Sequence, residues 1–170
     1  LLTHAYDQPE VVAGAGTLGR EIEAQAGLPG SVLVSVGGGG LIGGLAAWFE
    51  RRSKVVALEP ELAPTLYRAR AAGEPVDVDV SGVAADSLGA RRIGAYSWAI
   101  TQAQVHEALL LDDAAIKNAQ RWLWRELKIA TEPAAALPLA ALQCGAYRPA
   151  PGEKVCLIVC GANVDPASLG

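Results

Sequence analysis

Apolar runs and helical apolar patterns alternate along the chain and predict a succession of strands and helices. Short runs rich in Val, Ile and Leu predict strands over residues 32–36, 54–58, 107–111 and 154–160. Spaced apolar residues between them predict helices that end near residues 26, 52, 72, 103, 128 and 147. We therefore expect an α/β fold of three layers, with a parallel sheet between helices on both faces.

Apolar spacing also identifies the inward faces of two predicted helices. The inward residues of the first, within residues 8–26, are Val11, Val12, Leu18 and Ile22. A later helix should begin at an N-cap formed by Asp112 or Asp113, and its inward residues are Ile116, Ala119, Leu123 and Leu127. Pro133 suits the first position of the helix that runs to residue 147, and Pro138 should kink or restart it. Residues 60–72 should form a helix, and residues 76–92 should form a loop. The alternation of Val and Asp at residues 76–80 is also compatible with a short edge strand.

Four consecutive glycines separate the apolar run at residues 31–36 from an Ala-rich helix that should begin at Leu41. They are Gly37, Gly38, Gly39 and Gly40. Residues without a Cβ let the backbone adopt positive φ and turn its N–H groups into one concavity, beside the free N–H groups of a helix start. A simple turn needs fewer glycines, so this loop predicts an anion site, above all for phosphate, at the carboxyl end of a parallel strand.

The glycine pattern alone leaves the phosphate ligand open. Residues 38–43 match the Gly-x-Gly-x-x-Gly fingerprint, and Glu59 ends the next apolar run where dinucleotide-binding proteins carry a ribose-binding acid. A nucleoside-triphosphate loop is excluded, because no Lys-Ser or Lys-Thr pair closes the loop. An NAD-type dinucleotide-binding module and another phosphate site both fit this pattern.

Further short motifs follow one order along nearly the whole chain. They are His-Ala-Tyr-Asp at 4–7, Ala-Gly-Ala-Gly-Thr at 13–17, Val-Gly-Gly-Gly-Gly-Leu at 36–41, Glu-Pro at 59–60, Gly-Val-Ala-Ala-Asp-Ser-Leu at 82–88, Thr-Glu-Pro-Ala-Ala-Ala-Leu at 131–137 and Cys-Gly-Ala-Asn-Val-Asp at 160–165. Together they resemble the serine/threonine dehydratase and serine racemase family of fold-type II pyridoxal phosphate enzymes, with Ala15 and Ala162 in place of the family's Gln and Gly. The resemblance implies pyridoxal phosphate rather than a nicotinamide, and a lyase that dehydrates a small β-hydroxy amino acid such as serine or threonine. We also expect a homodimer.

The resemblance assigns roles to individual residues. It implies that the glycine loop and Leu41 hold the cofactor phosphate, and that Ser87 lies in a loop lining the cofactor or the substrate. It places the Cys160 thiol at the pyridine nitrogen, which a thiol, unlike a carboxylate, cannot keep protonated, and this suits β-elimination. It places the Glu132 carboxylate near the cofactor ring. Alternatively, Cys160 is a small core residue at a strand end, and Glu132 is a charge favoured by a helix dipole.

Some members of that family bind a divalent cation along the segment that matches residues 59–65. Glu59 and the Ala63 carbonyl fit two of the ligands, but Thr65 stands where the family has an acidic ligand. Hard cations prefer charged oxygen ligands, so this replacement weakens the predicted cation site.

The family's cofactor-carrying lysine lies in a Ser-Phe-Lys-like motif ahead of the matched segments, and no lysine here has such neighbours. The lysines present are Lys54, Lys117, Lys128 and Lys154. The chain therefore resembles the carboxyl-terminal portion of the large cofactor-binding domain, without the small domain and the catalytic lysine. We assign no catalytic residue and expect the isolated chain to be inactive, because an enzyme amine must carry the cofactor and remove the α-proton.

Composition narrows the remaining classes. A chain of 170 residues that is 51% hydrophobic suffices for one domain with a sizeable core. A net charge of −4 and scattered basic residues argue against nucleic acid, and no apolar run approaches the roughly 20 residues of a membrane span. The first residues lack the pattern of a signal peptide, which favours the cytoplasm. Three cysteines, Cys144, Cys156 and Cys160, argue against a disulfide framework, and His4 and His106 have no partner that spacing identifies.

Overall fold

A four-stranded parallel sheet organises residues 3–169, the part of the chain that the computed structural model describes. Its strands are β1 (Ser31–Ser35), β2 (Lys54–Pro60), β3 (Val105–Leu111) and β4 (Val155–Leu157). They lie in the order β3-β2-β1-β4, so β1 has a neighbour on each side. Ser31 of β1 pairs with Lys54 of β2 and with Val155 of β4. Because all strands run the same way, their carboxyl ends meet at one edge of the sheet.

Helices cover both faces of this sheet. They are α1 (Pro9–Ala26), α2 (Gly40–Phe49), α3 (Thr65–Ala72), α4 (Ala95–Gln104), α5 (Asp113–Trp122) and α6 (Pro133–Gln143). Side chains of β1 alternate between the faces: Leu33 packs with residues of α5 and α6, whereas Val32 and Val34 pack with residues of α2 and α3. All three are fully buried. The predicted three-layer α/β architecture is therefore confirmed.

Two glycines let α1 and α2 approach closely. A Cβ on Gly16 would lie 3.2 Å from the Gly44 carbonyl oxygen, and a Cβ on Gly44 would lie 2.5 Å from the Gly16 nitrogen. The second distance is shorter than real Cβ contacts, so the packing of the two backbones requires Gly44. Among the predicted inward residues of α1, Val12 is buried, and Leu18 and Ile22 are partly buried against the core that includes α2.

Two predicted helices are shorter than the apolar pattern suggested. β2 extends to Pro60, and α3 begins at Thr65 instead of residue 60. A proline disfavours helical backbone in the residue before it, so Pro64 delays the start of α3. α2 ends at Phe49 rather than near residue 52, because Glu50 and Arg51 adopt left-handed backbone conformations with φ of 45° and 64°.

The end of α5 changes its helical pitch. Asp112 caps α5 as predicted, because its side chain accepts a hydrogen bond from the Ala115 N–H at 2.7 Å. The predicted inward residues Ile116, Ala119 and Leu123 are buried. The chain then continues as a π-helical turn over Leu123–Leu127, which moves the following side chains off the α-helical stripe. Leu127 is 52% exposed, so the prediction of an inward Leu127 is wrong.

α6 runs without interruption from Pro133 to Gln143 and contains Pro138, so the helix does not restart there, and the predicted end at residue 147 is wrong. A proline inside a helix deprives the carbonyl four residues earlier of its N–H donor. Here that carbonyl belongs to Ala134, and the hydroxyl of Ser35 at the end of β1 donates a hydrogen bond to it. The helix continues because the sheet supplies the missing donor.

The two remaining strand predictions need correction. β4 covers only Val155–Leu157 instead of residues 154–160, so Cys160 lies beyond the strand. Residues 76–80 form no strand, although the Val78 N–H donates one bond to the Arg91 carbonyl at 2.8 Å. The three cysteines are free, in agreement with the expected lack of a disulfide framework. Within residues 3–169, no helix has the length and apolarity needed to cross a membrane.

Candidate functional site

A cavity of about 370 Å³ opens at the carboxyl end of β1, the edge of a parallel sheet where open α/β folds bind ligands. Its wall contains all eight residues predicted to bind the cofactor, which are Gly37, Gly38, Gly39, Gly40, Leu41, Ser87, Glu132 and Cys160. The wall also contains residues to which no site role was assigned, among them Tyr6, Val11, Ala15, Ser35, Leu88 and Ala134. The fold thus brings segments that are far apart in the chain into one site.

The glycine loop is packed tightly by its own protein neighbours. A Cβ on Gly38 would overlap the Tyr6 ring, and a Cβ on Gly39, whose φ is 93°, would overlap the Ile93 side chain. The Gly94 N–H at the start of α4 donates to the Gly38 carbonyl at 3.0 Å. Protein packing therefore requires glycine at these positions independently of a ligand, a reason that the sequence did not reveal.

α2 begins directly behind this loop. Gly39 is its N-cap, so the N–H groups of Gly40, Leu41 and Ile42 have no partner within the helix. The Gly43 N–H closes the first turn by donating to the Gly39 carbonyl at 2.8 Å. The free N–H groups and the positive end of the helix dipole together favour an anion at the cavity wall.

A turn ahead of α1 closes one side of the cavity. His4 Nδ1 accepts hydrogen bonds from the N–H groups of Tyr6 at 3.3 Å and Asp7 at 2.9 Å. Asp7 Oδ1 accepts a bond from the Tyr96 N–H at 3.0 Å, in the first turn of α4. These bonds hold the Tyr6 ring against Gly38. His4 therefore has a structural role in shaping the cavity.

Glu132 reaches the cavity from the residue before α6. Its N–H donates to the Gly161 carbonyl at 3.2 Å, and its Oε2 accepts a bond from the Asn163 N–H at 3.3 Å. A Cβ on Gly161 would overlap the Glu132 carboxylate, so glycine is required there. Glu132 is the N-cap of α6, but its side chain forms no capping hydrogen bond. The loop after β4, rather than the helix, engages the carboxylate.

The Cys160 thiol shares the cavity wall with Glu132. The structure exposes Cys160 instead of burying it in the core. Desolvation by the concave wall and the nearby Glu132 carboxylate raise the pKa of the thiol above its ordinary value. A thiol already titrates well above neutral pH, so Cys160 is uncharged at physiological pH.

Ser87 reaches the wall from the loop between α3 and α4. The N–H groups of Ser87 and Leu88 both donate to the Ala84 carbonyl, at 3.2 Å and 2.8 Å, and this turn sets the direction of the loop. The Ser87 hydroxyl donates to the same carbonyl at 3.4 Å. Its lone pairs are left to accept a hydrogen bond from a ligand.

Glu59 is fully buried and lies outside the cavity wall. Its two carboxyl oxygens accept hydrogen bonds from the N–H groups of Leu66 at 2.6 Å and Tyr67 at 2.7 Å, in the first turn of α3. Burial raises the pKa of Glu59 to about 8, because it outweighs the effect of these N–H groups. The carboxyl serves the start of α3 and has no exposed face for the ribose of a dinucleotide.

The predicted cation ligands, Glu59 and Ala63, are both fully buried beside the start of α3. A carboxyl that is protonated at neutral pH is a poor ligand for a hard cation. Within residues 3–169, no group of three His, Cys, Asp or Glu side chains could hold a metal ion. The cation site therefore stays a prediction that this geometry does not favour.

Residues 3–169 include all the lysines of the chain, and none of these lysines lines the cavity. Lys54 and Lys154 lie at the opposite, amino-terminal edge of the sheet. There the Lys54 ammonium pairs with Glu153 at 3.3 Å, and Lys154 Nζ donates to the Ala26 carbonyl at 2.8 Å. Among the described residues, the cavity wall offers backbone, hydroxyl, thiol and carboxylate groups but no lysine amine.

Sequence reasoning missed Tyr6 and Ser35 as wall residues. Ser35 carried a usable signal, because it is a polar residue that closes an apolar run at the carboxyl end of a predicted strand. Tyr6 belongs to the motif at residues 4–7, but its position against Gly38 depends on the turn made by His4, which the motif alone did not reveal.

The wall fits a phosphate-bearing cofactor. Its anion donors are backbone N–H groups at a helix start, and its volume falls within the range of small-ligand pockets. The carboxylate and the neutral thiol are the polar groups that remain for the rest of such a ligand.

Comparison with known proteins agrees with this donor set. A family model described as "Pyridoxal-phosphate dependent enzyme" matches residues 1–161. The chain is similar to the phenylserine dehydratase of Ralstonia pickettii, with 34% identity over 169 residues that cover 98% of this chain and 52% of the relative. It is also similar to the beta-hydroxyaspartate dehydratase of Paracoccus denitrificans, with 34% identity over 165 residues that cover 95% of this chain and 52% of the relative.

A solved structure, that of the T.th. threonine deaminase, superposes with a TM-score of 0.86 and 36% identity, covering 94% of this chain and 59% of that one. The chain spans about half the length of the curated relatives described above. The NAD-type alternative finds no support in these matches, and the buried position of Glu59 removes its structural basis.

Proposed function

Because the chain belongs to the pyridoxal-phosphate dependent enzyme family, as its motifs predicted, we propose that it forms the cofactor-binding part of a dehydratase for small, neutral β-hydroxy amino acids. The whole enzyme would eliminate water from serine or threonine and release ammonia and a 2-oxo acid. The observation that carries this proposal is the single cavity that unites the glycine loop with Glu132 and Cys160 at the carboxyl end of β1.

The glycine loop and the start of α2 would bind the cofactor phosphate. Backbone N–H groups and the helix dipole supply the attraction, since the described wall contains no Lys, Arg or His. Tyr6 and Leu88 lie against this loop and form part of the same cavity wall. Burial of a phosphate dianion against this wall would strengthen its interaction with the N–H groups, because the local dielectric constant would fall.

Cys160 and Glu132 would set the electronic environment of the cofactor ring. Bound pyridoxal phosphate supplies an aldehyde that captures an amino group and a ring that withdraws electrons from the bonds to be broken. The neutral Cys160 thiol cannot hold a ring nitrogen protonated, so this electron withdrawal stays moderate, which suits loss of a β-hydroxyl. The Asn163 N–H and Gly161 keep the Glu132 carboxylate at the wall.

The charge of the wall favours a substrate with a neutral side chain. Glu132 is the one Asp or Glu in the described wall, and no cation there would compensate a second carboxylate on the substrate. Val11 and Ala15 add apolar surface. Of the two relatives, one is named for an acidic substrate, beta-hydroxyaspartate, and the other for the neutral phenylserine. We propose that this chain follows the neutral type.

The amine that carries the cofactor and removes the α-proton would come from outside this cavity wall, since none of the four lysines reaches it. We place it in the part of the enzyme that corresponds to the half of the relatives not matched by this chain. A cytoplasmic homodimer stays a prediction, for which cell fractionation and light scattering of the whole enzyme are the measurements.

The activity is tested by 2-oxo acid formation with added pyridoxal phosphate. The isolated 170-residue chain should give no product from L-serine or L-threonine, whereas the chain extended by the amino-terminal half of its parent should do so. The extended protein should prefer L-threonine or phenylserine to β-hydroxyaspartate. Substantial turnover by the isolated chain would show that one of its own lysines serves, and inactivity of the extended protein on every hydroxy amino acid would refute the dehydratase assignment.

Cofactor choice is tested separately by protection against thermal unfolding. Pyridoxal phosphate at about 100 times its Kd should stabilise the chain by about 2.7 kcal/mol, whereas NAD at the same concentration should leave it unchanged. Preferential protection by NAD would overturn the assignment of the cavity.

A further inference from the structure

A second cavity, of about 180 Å³, lies at the amino-terminal edge of the sheet. It is lined by Arg51, Ser53, Lys54, Gln104, Val105 and His106. These residues come from the junctions between α2 and β2 and between α4 and β3. β2 spans seven residues, so this cavity is about 20 Å from the edge that carries the glycine loop. It shares no wall residue with the proposed cofactor site.

The wall of this cavity concentrates positive charge in a protein whose net charge is −4. Arg51, Lys54 and His106 can each carry a positive charge, and the wall includes no acidic residue. Lys54 pairs with Glu153 at 3.3 Å, whereas within residues 3–169 neither Arg51 nor His106 forms an ion pair. In the part of the chain that the structure describes, neither the Arg51 guanidinium nor the His106 imidazole is therefore paired with a carboxylate.

The neighbouring helix ends do not account for these cations. The carboxyl ends of α2 and α4 point to this edge of the sheet and favour positive charge. Arg52 already donates to a carbonyl in the last turn of α2 at 3.0 Å. Arg70 donates to the Val105 carbonyl after α4 at 3.0 Å. Each helix end thus already has a guanidinium that donates to it, so the helix dipoles do not explain the presence of Arg51 and His106.

The backbone conformation of Arg51 and an unpaired side-chain amide oxygen of Gln104 also favour a ligand in this cavity. Arg51 has a φ of 64°, directly after Glu50 with a φ of 45°, and residues with a Cβ rarely adopt this region. Gln104 Oε1 is buried without a hydrogen-bond partner. A half-turn of that amide exchanges its oxygen for an NH₂ group that can donate to an anion. The Ser53 hydroxyl already donates to the Pro29 carbonyl at 2.7 Å and is not a free donor.

We propose that Arg51, Lys54 and His106 bind a small tetrahedral oxyanion, inorganic phosphate or sulfate, in this second cavity. Charge-assisted hydrogen bonds from guanidinium, ammonium and imidazole groups suit the oxygens of such an anion. The cavity has less than half the volume of the one at the glycine loop, which suits a small oxyanion better than a nucleotide. The bound anion would join the turn after α2 to the start of β3.

The test is a titration of the 170-residue chain with inorganic phosphate at constant ionic strength, followed by amide chemical shifts in ¹H–¹⁵N NMR spectra. The amides of Lys54 and His106 should shift and saturate. Arg51→Asn removes the charge while Asn tolerates left-handed backbone, and it should weaken this binding at least tenfold. Arg121→Gln removes an equal charge from the exposed side of α5 and should leave the binding unchanged.

Because the glycine loop is another place where phosphate can bind, the amides that shift identify the site. His106→Asn repeats the test from β3, in case Arg51→Asn fails to fold. Three results would each overturn the proposal. The first is amide shifts confined to residues 37–42, and the second is a phosphate affinity that is the same in Arg51→Asn, His106→Asn and the unaltered chain. The third is a loss of affinity in Arg121→Gln as large as that in Arg51→Asn.

Discussion

The buried carboxyl of Glu59 should make this protein less stable as pH rises from about 5 to about 8. Glu59 is fully buried, and burial raises its pKa from 4.5 to about 8. Between these two values the folded protein keeps a proton that the unfolded chain has lost, so the free energy of unfolding falls with rising pH. Below the lower value both states are protonated, and above the upper value both are ionised, so the dependence ends there.

The size of this effect follows from the two pKa values. At 1.36 kcal/mol per pKa unit, the interval from 4.5 to about 8 corresponds to about 5 kcal/mol. Whole domains have free energies of unfolding of roughly 5–15 kcal/mol, so one side chain would control a large part of the total. The N–H groups of Leu66 and Tyr67 act in the opposite direction by stabilising the carboxylate.

Urea unfolding at pH 5, 6, 7 and 8 measures the effect, with Glu59→Gln as the variant. Glutamine is neutral at every pH, so the stability of the unaltered chain should fall toward or below that of the variant as pH rises. Glu61→Gln, which removes an exposed carboxyl two residues away, should keep the pH dependence of the unaltered chain. Parallel curves for the unaltered chain and Glu59→Gln would refute the reasoning, because they would mean that Glu59 is ionised throughout and that its N–H partners outweigh burial.

Other substitutions test the contacts that hold the site. Ser35→Ala should lower the free energy of unfolding by about 1–3 kcal/mol, because it leaves an α6 carbonyl without a donor. Adding Pro138→Ala to this variant should restore much of the loss, and a double variant in which the two losses simply add would contradict the pairing. Gly38→Ala should weaken pyridoxal phosphate binding in an absorbance titration, because its methyl group displaces the tyrosine beside the loop, and unchanged affinity would contradict this. Gly44→Ala should lower the free energy of unfolding by about 1–3 kcal/mol. Gly14→Ala should raise it by about 0.5–1 kcal/mol, because a Cβ there would have no atom within 4 Å. Equal effects of the two substitutions would disprove the packing argument.

The central strand and its loop could be predicted because local chemistry determines them. The apolar run that became β1 is buried on both faces, which only a central strand with helices above and below provides. The glycines that follow it stop the strand and open α2, and these two features place the loop at the ligand-binding edge. No contact from elsewhere in the chain is needed for either inference.

The wrong predictions concern features that the apolar pattern does not show. Pro138 would interrupt an isolated helix, but a hydroxyl about a hundred residues away satisfies the carbonyl that it orphans. The ribose role considered for Glu59 lost its basis because the start of α3 takes both of its oxygens, whereas its role as a cation ligand stays a prediction. The exposed Leu127 follows from a change of helical pitch for which the apolar spacing gave no sign.

The residues that share the cavity wall could be identified because they lie in order along the family motifs, whereas their contacts with a cofactor stay a prediction. The packing role of each glycine was harder to predict, since Gly38 accommodates the Tyr6 ring and Gly161 accommodates the Glu132 carboxylate. Such contacts join loops that are far apart in sequence, and a single chain read in order does not reveal them.

The direction of the sheet explains why this chain should bind the cofactor without turning over a substrate. At the carboxyl edge, the free α2 N–H groups attract phosphate, and Glu132 and Cys160 provide a carboxylate and a neutral thiol. Lys54 and Lys154 lie at the amino edge, about 20 Å away, where the rigid strands hold them. Proton abstraction needs a base within hydrogen-bond reach, so no small movement of either lysine could supply it. Binding and turnover should therefore separate in this chain, with affinity depending on the glycine loop and activity depending on an amine from another segment.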